Sequence, residues 1–451
     1  MTYLKHVSAI LVLGLPLIGG HLAQMAIGMT DTVMMGWYGV EALAAITLGS
    51  NYFYVFFLFG SGFAWAVMPM VAASAGSGDE TSIRRTTRMG LWLSLMYATL
   101  ALPVMLFSEP VLILLGQDPL IAAESARYLR VAGWGLFPAL IVMALKSYLA
   151  ALERTQIVLW ITLLAALANG LANWAFIFGN WGAPELGIVG AAIASVITQF
   201  VSLIAVIVYA VRELPQHELF ARFWRPDWEM FGKVARLGVP IGLTTLSEVS
   251  LFTASALMMG WLGTIELAAH GVVITIVSAA FMIHLGLSNV ATIRAGNAYG
   301  RRNRSDMVRG AHAVFGLSLV ASVVTVSIFL LFPEPLISLF LDEADVRRAD
   351  IVTVAVGLLA AGALFQLADG AQVIALGLLR GVQDTAVPMV MAALAYWVVG
   401  IPAAYALGFL TDLGGRGVWL GLVVGLTIAA VFLLARFWIS GLRKVTATAA
   451  A

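Results

Sequence analysis

Gly14 to Ala45 reads GLPLIGGHLAQMAIGMTDTVMMGWYGVEALAA, and Gly238 to Ala269 reads GVPIGLTTLSEVSLFTASALMMGWLGTIELAA. The two stretches align without a gap at an offset of 224, and 11 of 32 positions are identical. Their shared core is Met-Met-Gly-Trp-x-Gly followed by Leu-Ala-Ala. Gly76 and Gly300 keep the same offset at the far end of the next apolar run. Composition bias does not produce such a run, so the chain is a tandem structural repeat.

Of the 451 residues 61% are hydrophobic and 11% are charged, against about 25% charged in a soluble domain. Many apolar runs exceed the roughly 20 residues that cross a bilayer. The runs are continuous, not alternating, which selects helices over a barrel as the spanning structure. The apolar stretch after Lys5, from about His6 to Met35, imitates a signal peptide. It is read as a span because it is long, has no clear small-residue cleavage site and contains an Asp. There is no cysteine, which excludes disulfides, zinc-thiolate sites and thiol nucleophiles.

Charge and turn clusters separate twelve spans, at about 7–35, 42–74, 88–108, 125–149, 155–178, 186–211, 232–260, 266–298, 309–332, 350–378, 386–409 and 416–440. The expected fold is therefore all-α and integral to the membrane, with twelve helices in two six-helix bundles related by pseudo-two-fold symmetry. With the N-terminus inside, 20 of the 25 Lys and Arg fall on the inner side. That bias puts both termini in the cytoplasm, in the inner membrane of the cell. The repeat gives an N-terminal lobe over 1–215, a cytoplasmic linker over 216–231 and a C-terminal lobe over 232–451. An even number of spans per repeat gives both copies the same orientation, an arrangement that suits alternating access.

Of 24 Asp and Glu, all but Asp31, Glu248 and Asp369 fall in loops. A carboxylate in lipid costs at least about 2.5 kcal/mol, so each of the three marks a functional site. Glu248 and Asp369 form an acid pair if they approach each other, with no basic residue at comparable depth. Two unpaired negative charges in a low dielectric require protons or a metal cation, Na⁺ or H⁺. In the repeat alignment Glu248 faces Gln24 and Ser255 faces Asp31. Each half thus has a polar face on its first span, with the acid at a different depth. Asn169 and Asn173, one turn apart in the fifth span, are placed to supply carbonyl oxygens or amide donors beside Asp31. Helix–helix hydrogen bonding is the bland alternative.

Met25, Met29, Gln24, Phe53, Met282, Phe252, Tyr396 and Trp397 are candidates for a greasy, adaptable substrate cavity. His21, His270 and His284 are read as packing or cavity residues. Lys146 and Arg294 are read as snorkelling to the cytoplasmic ends. Pro16 and Pro240 occupy equivalent places and give either a static kink or a gate.

The order of these segments, with NGLANWAFIFG, TIRAGNAYG and FQLADGAQVIALGLLRGVQDT, resembles the multidrug and toxic compound extrusion (MATE) transporters, NorM-like branch, over essentially the whole chain. The resemblance implies a monomeric exporter of amphipathic, often cationic compounds by antiport with Na⁺ or H⁺, with no cofactor and no nucleic-acid partner. It implies that Asp31 is the N-lobe carboxylate, that Glu248 and Asp369 are the C-lobe cation ligands, and that Phe252 is the aromatic beside them. Asn169 and Asn173 resemble the family's polar pair. The second of these is Asp in some proton-coupled relatives, so Asn173 tilts the reading toward Na⁺. A lipid-linked sugar flippase of the same superfamily would need a basic cavity that the spans lack. An intramembrane aspartyl protease would need Gly-x-Gly-Asp where Asp369 has Leu-Ala-Asp-Gly, and His217-Glu218 lacks the second His of a zinc helix. A channel would not require this repeat or its uneven acids. No enzymatic activity is expected.

Overall fold

The structure, a computed structural model, describes residues 2–343 and 346–447. Among them are twelve helices long and apolar enough to cross a membrane. In the first repeat these are α1 (Tyr3–Tyr38), α2 (Val40–Ser77), α3 (Glu80–Leu106), α4 (Pro119–Ala151), α5 (Thr155–Phe178) and α6 (Ile188–Glu213). In the second they are α7 (Trp228–Leu262), α8 (Thr264–Gly300), α9 (Arg304–Leu331), α10 (Arg348–Gly381), α11 (Ala386–Phe409) and α12 (Gly415–Val445). Most run past the apolar segments that announce them, because a helix continues through its polar ends until a cap or a glycine stops it.

The repeat visible in the first span extends through both halves. Gly39 and Gly263 separate α1 from α2 and α7 from α8. The Asp79 side chain accepts the Ser82 backbone N–H at 2.9 Å, and at the equivalent place Asn303 accepts that of Asp306 at 3.0 Å. Each cap satisfies one of the free donors at a helix start. Short helices at Ser108–Leu114 and Pro333–Ser338 precede α4 and α10. Gly187 and Gly414 precede α6 and α12 with φ 53, ψ −122 and φ 54, ψ −130. A Cβ makes that backbone prohibitive, so glycine is required at both.

The chain forms two compact units, which are not simply the two repeats. One unit contains Met1–Ile18 with Leu243–Ala451, and the other contains Gly19–Gly242. The first segments of α1 and α7 are thus exchanged between the units, and the two break points are again 224 residues apart. Glycine holds each exchanged segment. A Cβ on Gly62 of α2 would collide with the backbone of Gly238 and Gly242 on α7, and a Cβ on Gly286 of α8 would press on the Ile18 backbone of α1. Gly62 and Gly286 are equivalent positions in the repeat.

Some of the long helices depart locally from α geometry. Residues Gly133–Gly135 form a 3₁₀ turn inside α4, whereas α10 is unbroken. In α11 residues Ala395–Gly400 form a π turn. A π turn inserts an extra residue per turn, rotates the side chains beyond it, and is frequent at functional sites.

Candidate functional site

In the unit containing Leu243–Ala451, α7 carries Glu248, α10 carries Asp369 and α11 carries Tyr396. Glu248 and Asp369 lie within electrostatic reach of each other, and Tyr396 within reach of both. Asp369 is 2% exposed, and one carboxylate oxygen, Oδ1, has no hydrogen-bond partner. Gln366 and Gln372 stand one turn before and one turn after Asp369, both fully buried. The Gln372 amide donates to the Tyr396 hydroxyl at 2.5 Å. Arg380, further along α10, lies within electrostatic reach of Glu248. The sequence assigns Arg380 to the basic end and finds no basic residue beside the acid pair. The structure corrects this, because a long guanidinium stem acts well away from its own backbone position.

Beside the acids runs an aromatic chain. Phe252, one turn after Glu248, meets Phe365 edge-on at 5.8 Å between ring centroids. Phe365 meets Trp419 at 5.6 Å, and the Trp419 indole N–H donates to His270 Nδ1 at 3.2 Å. Phe365 and Trp419 are buried, and a buried apolar surrounding strengthens electrostatic interaction.

The unit Gly19–Gly242 carries a different site. Asp31 Oδ1 accepts the Asn169 amide at 2.9 Å and the Asn173 amide at 2.6 Å. Asn173 also donates to Asn169 Oδ1 at 3.3 Å, while its own Oδ1 has no partner. Both asparagines are fully buried, one turn apart on the same face of α5 as their spacing requires. Tyr128 of α4 lies within electrostatic reach of Asp31. Two amide donors converging on one carboxylate oxygen is an arrangement made for the anion.

The other candidates fall outside these clusters or change role. Gln24 and Met29 are exposed on α1, and Met25, Phe53 and Met282 are half-buried. Tyr396, read from sequence as cavity wall, is fully buried with its hydroxyl at Gln372. His284 Nδ1 lies 2.9 Å from Ser318 Oγ and Nε2 lies 3.3 Å from Ser322 Oγ, fixing α8 to α9. Lys146 donates to Thr162 Oγ1 at 2.8 Å, and Arg294 donates to His6 Nδ1 at 3.0 Å, so both end on side chains inside the fold. Pro16 and Pro240 lie inside unbroken helices. Gln366, Gln372 and Arg380 are members of the acid cluster that sequence reasoning missed. Two glutamines in an apolar run, each three residues from Asp369, were the available signal.

The linker between the repeats is clamped to the basic end of α3. Arg85 donates to both Asp227 oxygens, at 2.5 and 3.2 Å, and to Glu229 at 3.1 Å. Arg88 donates to the carbonyls of Leu219 at 2.7 Å and Glu218 at 2.5 Å, and the Trp92 indole donates to that of Phe223 at 2.9 Å. Arg85 holds the Asp227 carboxyl below the usual range. His217 is buried with Nδ1 2.5 Å from the Tyr148 hydroxyl, and that burial pushes its imidazole down.

The MatE family profile matches residues 16–175 and 240–406, one block in each repeat. The chain belongs to the MatE family. It is similar to a probable multidrug resistance protein NorM of Rhizobium meliloti strain 1021, with 47% identity over 448 residues covering 99% of this chain and 96% of the relative. It is 42% identical to the probable multidrug resistance protein NorM of Agrobacterium fabrum strain C58, covering 97% and 94% of the two chains. The fold matches the crystal structure of MATE in complex with MaL6, with a TM-score of 0.89 at 22% identity, covering 97% of each chain. This MatE chain is an all-helical, multi-pass membrane protein.

Proposed function

We propose that this chain is a multidrug exporter, carrying small amphipathic and often cationic compounds out of the cell by antiport with Na⁺ held at Glu248 and Asp369. It works as a monomer in the inner membrane with both termini in the cytoplasm, and Asp31 with Asn169 and Asn173 forms a second polar station. The observation that carries this reading is the acid pair. Two carboxylates lie within electrostatic reach on α7 and α10, one of them with an unpartnered buried oxygen. Buried acids in that state need a cation that can come and go, which is what an antiporter requires. The NorM relatives of similar length carry multidrug resistance in their names.

The flippase reading asks for a basic cavity. Lys146 ends on Thr162 and Arg294 on His6, and Arg380 lies within reach of Glu248, so among the described residues these cations do not form the cluster that reading asks for. The test is efflux from cells expressing Asp31→Asn, Glu248→Gln or Asp369→Asn at wild-type membrane levels. Each substitution is expected to abolish or strongly impair export. Normal export by all three would sink the carboxylate mechanism.

A further inference from the structure

Gln366, Asp369 and Gln372 follow one another at three-residue steps on α10, within a sector of about 120° of the helix surface. All three are at most 2% exposed. Four of their side-chain atoms have no hydrogen-bond partner, namely both polar atoms of Gln366, Asp369 Oδ1 and Gln372 Oε1. A buried polar group left unpaired is costly, and native interiors hold few of them. Here they gather on one helix face beside the acid pair, and three of the four are oxygens. Tyr396, on the π turn of α11, accepts the Gln372 N–H and so leaves the amide oxygen as the free end.

The charge count is also informative. Glu248 and Asp369 bring two negative charges and Arg380 brings one positive charge within reach of Glu248. The net of minus one is neutralised by a single monovalent cation. Among the described residues no group of three or more His, Asp or Glu is arranged to hold a metal, so additional ligands must be neutral. Amide oxygens fill that role for alkali cations, whereas they do not take up a proton at physiological pH.

We propose that Gln366 and Gln372 are ligands of the coupling ion and make this a site for a metal cation, not a proton, with Tyr396 as the positioning residue for Gln372. This rests on the reading that Glu248 and Asp369 hold the ion. The test is thermal unfolding of the purified full-length protein in NaCl against choline chloride at equal ionic strength. A ligand that binds only the folded state raises the unfolding temperature, so Na⁺ is expected to stabilise the wild type. In Gln366→Leu and Gln372→Leu the Na⁺ concentration for half the shift is expected to rise about tenfold, the effect of losing roughly one good polar contact. Without Na⁺ these variants should be as stable as the wild type or more so, since an unpaired amide has gone. Tyr396→Phe is expected to raise the half-point about threefold. If a leucine variant does not fold, the methionine variant at that position takes its place.

Wild-type half-points in both glutamine variants, or no Na⁺ shift in the wild type, overturn the proposal. Asp369→Asn separates the two levels. If it loses the Na⁺ shift while the glutamine variants keep theirs, only the glutamine assignment fails. If it keeps the shift, the acid-pair reading fails as well.

Discussion

The two halves of the chain are alike in frame and unlike in chemistry. Gly62 and Gly286, Asp79 and Asn303, and Gly187 and Gly414 do the same work at equivalent places. The intramembrane polar clusters do not correspond. Asp31 has a carboxylate oxygen filled by two amide donors from α5. Asp369 has a buried oxygen with no partner, flanked by amides with unused atoms and within reach of a second acid. Duplication preserves packing because any change in a close backbone contact is costly. It leaves polar chemistry free to diverge, because exchanging polar side chains of similar size does not disturb the backbone contacts of the frame. In the Asp31 cluster the carboxylate oxygen already has its donors and one amide oxygen, Asn173 Oδ1, is left over, whereas the Asp369 cluster asks for a cation.

The sharpest way to break this comparison is to neutralise the acids in turn. Glu248→Gln and Asp369→Asn are each expected to lower cation-driven efflux about 100-fold or more, since losing one member of a buried charged cluster costs about 3–5 kcal/mol. Dye efflux normalised to membrane protein reads this directly. The frame offers the opposite outcome. A Cβ on Gly190 would collide with the Phe176 carbonyl, and one on the equivalent Gly417 with the Leu407 carbonyl. Gly190→Ala and Gly417→Ala should therefore each destabilise by about 1–3 kcal/mol, and to the same degree, in thermal unfolding in detergent. Unequal losses would show that the halves differ in frame as well as chemistry.

Asp31→Asn is expected to be milder than the C-terminal pair. It removes the charge that two amides converge on, worth about one tenfold step in efflux, and should leave the Na⁺-induced stabilisation in place. Loss of that stabilisation would join the two clusters into one ion site. The smallest effect concerns the linker, which is clamped on the unit Gly19–Gly242. Burial lowers the His217 imidazole below its ordinary 6.5. A group buried neutral contributes stability that is complete above its unfolded pKa and is lost as pH falls through the folded value. The unfolding temperature should drop by roughly 1–2 °C below about pH 6.5, and His217→Gln should flatten that part of the curve.

Much of the fold is legible in the sequence because membranes force it. Long apolar runs leave helices as the answer, and the Met-Met-Gly-Trp repeat names the duplication. The exchange of the first segments of α1 and α7 between units is not legible, since it depends on which glycine meets which backbone across distant helices. The three acids and the two asparagines stand out because polar residues are rare in such runs. Gln366 and Gln372 are harder to read, since an amide in an apolar helix is equally at home bonding a neighbour. Arg380 is placed by sequence at a helix end, but the reach of its side chain decides what it touches. Tyr396 looks like greasy lining until the π turn and the Gln372 contact show which way it points.

The central claim is that the Glu248–Asp369 cluster couples export to a metal cation. It is tested most directly by dye efflux from proteoliposomes under an imposed inward Na⁺ gradient and, separately, an imposed inward proton gradient. The account expects the Na⁺ gradient to drive export in the wild type and in Gly20→Ala, a position where an added Cβ meets nothing, and to fail in Asp369→Asn. Export driven by the proton gradient alone, or Na⁺-driven export that survives in Asp369→Asn, would contradict it.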